Sequence, residues 1–209
     1  GRLLERFSRE IPLVLAANLC CLECSGILWH IEVAMTKSTI QNQNLHIRPL
    51  NPSDFAVFWP VRLLALQESP QAFGASYEES LALPEHEAIG RLSPKDGGFV
   101  LGAFRNNLLG IAGLARHSGA KVRHKDYIWG VYVVPSARGT GVARKLMERL
   151  LEQCRTIDGL EEVTLSVVTS NASAKRLYQS LGFAVYGLEK RALKIDREYF
   201  DEELMALRF

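Results

Sequence analysis

The sequence predicts an α/β domain, and three stretches carry that expectation. Residues 127–134 are rich in β-branched and aromatic side chains with no polar face, as in a strand covered on both sides, and they lead through a glycine-bearing turn into a helix. Residues 99–104 and 108–116 are apolar runs separated by Arg105-Asn106-Asn107, a turn in which asparagine tolerates positive φ, and read as a hairpin. Residues 163–168 form another strand, followed by a helical stripe of Ala174, Leu177, Tyr178 and Leu181.

The 209 residues accommodate one domain, expected over 45–209, behind an N-terminal extension of residues 1–44. In the extension, residues 11–29 are largely apolar and follow Arg2, Arg6 and Arg9, but Asn18 and Glu23 interrupt them and no A-x-A cleavage site follows. The segment before Met35 therefore reads as an upstream or appended extension rather than a signal or a membrane anchor. Cys20, Cys21, Cys24 and His30 lack the spacing of a zinc site and read as reduced thiols of a cytoplasmic chain, so no metal is expected. With 25 basic and 23 acidic residues and no cationic run, nucleic acid is not an expected partner, whereas a homodimer is compatible with the composition.

Residues 45–50 alternate as a first strand, and Asn51-Pro52-Ser53-Asp54 supplies capping residues for a helix over 55–67. Ser69-Pro70 stops that helix, and a loop through Phe73 and Gly74 leads to a second one carrying Tyr77, Glu78 and Glu79. After the hairpin, the polar residues 117–126 turn the chain into the organising strand, which Pro135 ends. In the following helix Ala143, Leu146, Met147, Leu150, Leu151 and Cys154 share one stripe, with Arg144, Lys145, Glu148, Arg149 and Glu152 outside it. Residues 183–195 and 203–209 close the chain as strands joined by the polar residues 196–202.

The turn Arg138-Gly139-Thr140-Gly141-Val142-Ala143 places residues without Cβ where unpaired amides of a helix N-terminus can hold an anion. It is not a Walker A loop, because Ala143-Arg144-Lys145 replaces Gly-Lys-Ser/Thr. Nor is it a dinucleotide fingerprint, because Arg144 stands at the third glycine and Ser170-Asn171 at the acid. Arg-x-x-Gly-x-Ala after a strand ending Val-x-Pro resembles the pyrophosphate loop of the GNAT acetyltransferase superfamily. Downstream, Asn171, Ala174, Leu177, Tyr178, Gly182 and Phe183 match that family's Asn-x-x-Ala-x-x-Leu-Tyr-x-x-x-Gly-Phe pattern. The resemblance covers residues 45–209. It implies a mixed, mostly antiparallel sheet splayed between central parallel strands and flanked by helices.

The same resemblance implies acetyl-CoA as co-substrate and a primary amine of a small molecule or peptide as acceptor, attacked directly in a ternary complex. Val133 and Val134 would bind pantetheine and polarise the thioester, while Arg138, Gly139, Thr140, Gly141, Val142 and Ala143 would hold the pyrophosphate. Asn171 would bond the pantetheine arm or cap its helix, and Tyr178 would protonate the leaving sulfur or pack on its helix stripe. Phe73, Tyr77, Glu78 and Glu79 would meet the acceptor or form a packed helix start. The family's carboxylate base is replaced by Tyr127 and Trp129, leaving Glu78, Glu79, His117 and Asp201 as candidates. The alternative to an enzyme is a noncatalytic acyl-CoA-binding module.

Overall fold

A computed structural model of the chain describes residues 44–93 and 96–209. The expectations for the extension, including its three cysteines and His30, lie outside the described residues. The described residues from 44 to 209 form one compact unit.

Its centre is a seven-stranded sheet in the order β1-β2-β3-β4-β5-β7-β6. The strands are β1 (His46–Pro49), β2 (Phe99–Phe104), β3 (Leu108–Arg116), β4 (Lys125–Val133), β5 (Glu162–Val168), β6 (Ala184–Ile195) and β7 (Glu198–Arg208). Every neighbouring pair is antiparallel except β4 with β5. Among the described residues five α-helices accompany the sheet: α1 (Phe55–Glu68), α2 (Tyr77–Leu81), α3 (Glu85–Gly90), α4 (Val142–Cys154) and α5 (Ala172–Ser180). Helix α3 was not expected, since its six residues are too few to display a period. The closing hairpin is also longer than its polar sequence suggested. Residues 198–202 pair with β6 across a turn in which Asp196 has φ 52°, and exposed strands need no apolar alternation.

One face of the sheet carries α4 and α5, where the expected stripe of Leu146, Met147, Leu150, Leu151 and Cys154 is buried against Leu101, Leu114, Ile128 and Val163. Each such aliphatic side chain contributes roughly 1.5–3 kcal/mol on leaving water. Burial, with Asp126 nearby, pushes the Cys154 thiol up to about 12, which makes it an unreactive core residue. The opposite face carries α1, whose Phe58 and Ala65 pack on Val100, Ile111 and Tyr132. The organising strand is thus covered on both sides, as its composition requires.

That strand is irregular at one point. Ile111 pairs with Tyr132 and Gly113 with Trp129, so β4 contributes two intervening residues, Gly130 and Val131, where β3 contributes one. Gly130 takes φ 66° to make this bulge. The extra residue reverses the alternation of side chains: Ile128 and Val133, five positions apart, both enter the α4 core, while Trp129 and Tyr132 both face α1. The bulge also redirects the strand. β4 pairs with β5 only from Lys125 to Tyr127, against Glu162 to Thr164, after which β4 stays with β3 and β5 stays with β7. Between them the sheet opens as a fork, and the contact of Tyr127 Oη with Ser166 Oγ at 3.0 Å is the last polar link across it.

A Cβ at residue 130 would meet nothing closer than 3.7 Å, so the cost of Gly130→Ala comes from its left-handed backbone alone. We expect a loss of about 1–2 kcal/mol in urea unfolding. Unchanged stability would mean that the bulge is relaxed without glycine.

Candidate active site

The fork opens into a cleft of about 690 Å³ bounded by the end of β4, the turn before α4, the end of β5, α5 and the loop containing Phe73. Its floor is the turn. Gly139 (φ 75°) and Gly141 (φ 81°) hold left-handed conformations, and no atom lies within 4 Å of where a Cβ would stand on either. Arg138 N–H donates to Pro135 O, and the next amide bond of the chain is Lys145 N–H to Gly141 O at 3.1 Å. Among the described residues the amides of Gly139 through Arg144 therefore have no protein acceptor. They gather at the N-terminus of a thirteen-residue helix with no side-chain cap. Such a concave set of N–H groups suits an oxyanion with several acceptor atoms. Thr140 shapes the turn, its hydroxyl donating to Ala137 O at 2.7 Å, and does not itself line the cleft, while Val142 does so with its side chain buried in the core.

Arg138 does not project freely toward this set of amides. Its Nε donates to Val133 O at 3.0 Å, and its two terminal nitrogens donate to Glu68 at 2.8 and 2.7 Å. Tyr132 Oη also donates to Glu68 and lies under the guanidinium, 5.5 Å from ring centroid to Cζ. Burial, then the hydrogen bond to Glu68, pushes the Tyr132 phenol up to about 12, so it remains a donor. Arg138 thus ties the turn to the C-terminal end of α1, and its side chain is a strut rather than a free phosphate ligand.

At the end of β4, Val134 N–H donates to Leu109 O at 2.9 Å. This corrects the expectation that either valine could supply a free amide. Antiparallel alternation turns the N–H and C=O of the preceding residue, Val133, away from β3 and toward the fork. Val133 is therefore the residue of the pair able to donate into the cleft.

Tyr178, on α5, lines the same cleft. It is buried (7% exposed) and its ring packs on Phe183 at 5.9 Å between centroids. Its hydroxyl makes no hydrogen bond among the described residues, although the side chain lines the cleft. Burial raises the phenol pKa well above the ordinary tyrosine value, so the proton is retained at any physiological pH. Asn171, at the N-terminus of α5, accepts from Ala174 N–H at 3.1 Å through Oδ1. It caps the helix, and its remaining amide nitrogen stays available at the cleft wall.

Of the residues expected at the acceptor side, Phe73 lines the cleft and Tyr77, Glu78 and Glu79 do not. Glu78 and Glu79 are exposed in the first turn of α2, where Ser76 accepts from Glu79 N–H and the acids favour the helix dipole. The candidate bases fall elsewhere too. His117 is exposed beyond β3, and Asp201 accepts from Arg191 N–H at 2.8 Å in the hairpin. Among the described residues that line the cleft there is no aspartate, glutamate or histidine. Glu68 was missed by sequence reasoning, as nothing local marks a residue whose partner lies 70 positions away.

The pattern of the acetyltransferase (GNAT) family matches residues 62–183, which contain the bulged strand, the glycine turn and α5. The chain belongs to the GNAT acetyltransferase family. It is 31% identical over 121 residues to the N-alpha-acetyltransferase RimI of Mycobacterium tuberculosis, covering 58% of this chain and 66% of that protein. It is 29% identical over 107 residues to the spermidine N(1)-acetyltransferase of Vibrio cholerae, covering 51% and 60%. The chain thus spans somewhat under two thirds of the length of these relatives. An acetyltransferase from Salmonella typhimurium, determined with its cofactor acetyl-CoA, superposes with a TM-score of 0.64 at 26% identity, over 79% of this chain and 94% of that one. The splayed sheet expected from the two sequence motifs is this family's fold.

The Glu68 strut yields a pH-dependent prediction. Hydrogen bonds from Arg138, then from Tyr132, hold the Glu68 carboxyl below the usual carboxylate range. A depressed folded pKa stabilises above the unfolded value of about 4.3 and loses that contribution as pH falls through the folded value. With the two side chains 47% and 30% exposed, the difference between wild type and Glu68→Gln should be under about 1 kcal/mol at pH 7. Urea unfolding curves should differ at pH 7 and draw together as the pH is lowered below the unfolded value of about 4.3. Equal separation at every pH would remove the charge from the account.

Proposed function

We propose that the protein transfers the acetyl group of acetyl-CoA to a primary amine, with both substrates meeting in the fork between β4 and β5. The observation that carries this reading is the Tyr178 hydroxyl, which has no hydrogen-bond partner among the described residues while its side chain lines the cleft. A tyrosine kept only for packing would normally find a partner for its hydroxyl or expose it freely.

The residues fit the co-substrate. The amides from Gly139 to Arg144 would hold the pyrophosphate, and the open space above Gly139 and Gly141 is where a side chain would obstruct it. Val133 N–H, turned into the fork, would bond the pantetheine arm or the thioester carbonyl, and Asn171 lines the cleft from the α5 side. Bound there, acetyl-CoA supplies an acyl group already activated as a thioester. The amine would attack from the side of the fork bordered by Phe73 and Ser166, and Tyr178 would deliver its proton to the departing sulfur. Because no carboxylate or imidazole lines the cleft, the amine must arrive neutral or release its proton to water. The acceptor amine is then of the kind handled by the RimI and spermidine enzymes, a peptide terminus or a small molecule.

The test is a thiol-release assay with a panel of amines, run on wild type and Tyr178→Phe. We expect coenzyme A binding to be retained in the variant and turnover to fall by about 10²-fold, the lower end for general acid catalysis, since a thiolate leaves tolerably without a proton. Wild-type turnover should rise with pH toward the acceptor's own pKa, with no decline assignable to Tyr178 below about pH 10. Full activity in Tyr178→Phe with a lowered melting temperature would make the hydroxyl structural. Binding of coenzyme A without turnover of any amine would make the protein an acyl-CoA-binding module.

A further inference from the structure

Where β4 and β5 part, two hydroxyls meet at the opening of the fork. Tyr127 is the last residue of β4 to pair with β5, opposite Thr164. Its side chain reaches onward along β5, so that Oη lies 3.0 Å from Ser166 Oγ, two residues beyond its own partner. Both residues are partly buried. Ser166 lines the cleft, and its hydroxyl makes no other hydrogen bond among the described residues.

Side-chain alternation assigns this pair to one side of the sheet. In β4 Ile128 enters the core under α4, so Tyr127 and Trp129 project toward the α1 face. In β5 Leu165 and Val167 enter the same α4 core, so Ser166 also projects toward the α1 face. Tyr178 belongs to the α4 core and lines the cleft from that side. Phe73, packed on the α1-side core, lines the cleft as Ser166 does. The fork thus receives a phenol from one face of the sheet and a serine hydroxyl from the other. Burial, then the neighbouring Tyr127, raises the Tyr178 pKa, so the two phenols stand within electrostatic reach of each other.

A phenol donates a hydrogen bond more readily than it accepts one, which favours Tyr127 O–H donating to Ser166 Oγ. Ser166 then keeps one lone pair and its own proton for an occupant of the cleft. An attacking amine aims its lone pair at the thioester carbon, so its N–H bonds need an acceptor to one side. We propose that Ser166 Oγ accepts a hydrogen bond from the attacking amine on the α1 side of the fork, and that Tyr127 is a positioning residue that fixes the Ser166 hydroxyl for this contact. The assignment rests on the acetyl-transfer reading above. Positive charge grows on the nitrogen as the C–N bond forms, so the contact is stronger in the transition state than before it and acts on kcat. Ser166 directs the amine and does not keep its proton, which leaves to water.

Steady-state kinetics of single and double variants test this with any amine that the wild type acetylates. Ser166→Ala should lower kcat about tenfold, with KM for the amine changed less than about threefold, as for one hydrogen bond to a developing charge. Its affinity for coenzyme A should be that of wild type, and Ser166→Thr, which keeps a hydroxyl, should recover most of the loss. Tyr127→Phe should lower kcat about threefold in the wild-type background and have no effect in Ser166→Ala, because it acts only through Ser166. A tyrosine that merely holds the seam would lower the melting temperature and cost as much in both backgrounds, which would overturn the assignment. Wild-type kcat in Ser166→Ala would overturn it while leaving acetyl transfer intact. Weakened coenzyme A binding in that variant would overturn it by placing Ser166 on the co-substrate instead of the amine. Coenzyme A binding by the wild type with no turnover of any amine would contradict the acetyl-transfer reading itself, and this assignment with it.

Discussion

The architecture depends on a parallel seam that is only three residue pairs long. β4 and β5 are bonded from Lys125 to Tyr127 and then part, and what parts them is the extra residue accommodated at Gly130. Each strand keeps its other neighbour, so the sheet opens without leaving either half unsupported. Two consequences follow from the one bulge. It turns the polar backbone of Val133 into a gap, and it switches side-chain parity so that the strand still buries apolar groups on both faces. A regular strand would close the gap or bury the wrong residues.

The loop that floors the gap is held from both sides of the sheet. On one side Val142 and the stripe of α4 anchor it in the larger core. On the other, Arg138 reaches past Val133 to Glu68 at the end of α1, with Tyr132 completing the contact. The exposed ion pair contributes little to stability, but it fixes where the glycine turn sits relative to the strand that ends beside it. The placement of the turn's amides therefore comes from packing and from one positioned carboxylate.

Much of this was legible in the sequence because the relevant signals are local. A 3.6-residue stripe marks α4, an unalternating apolar run marks β4, and glycines flag the turn, so those elements were placed correctly. The bulge was not visible, since a single glycine in an apolar run does not reveal that its partner strand is one residue short. The acceptor side was read least well. Glu78 and Glu79 were close in sequence to Phe73 but point to solvent, and the acid that matters to the turn, Glu68, is distant from Arg138 along the chain. Arg62 was not singled out either, although it stands within the apolar run of residues 55–66 and is buried in the structure.

The central claim is that the amides of the glycine turn and of Val133 wait for a ligand that enters the fork. Amide hydrogen exchange, measured residue by residue with and without coenzyme A, tests it most directly because nothing in the protein is changed. Exchange should slow on addition of coenzyme A at Val133 and from Gly139 to Arg144, while amides of β1 and β2, remote from the cleft, keep their rates. Coenzyme A binding that leaves those amides unprotected, or that protects another part of the domain instead, would contradict the account.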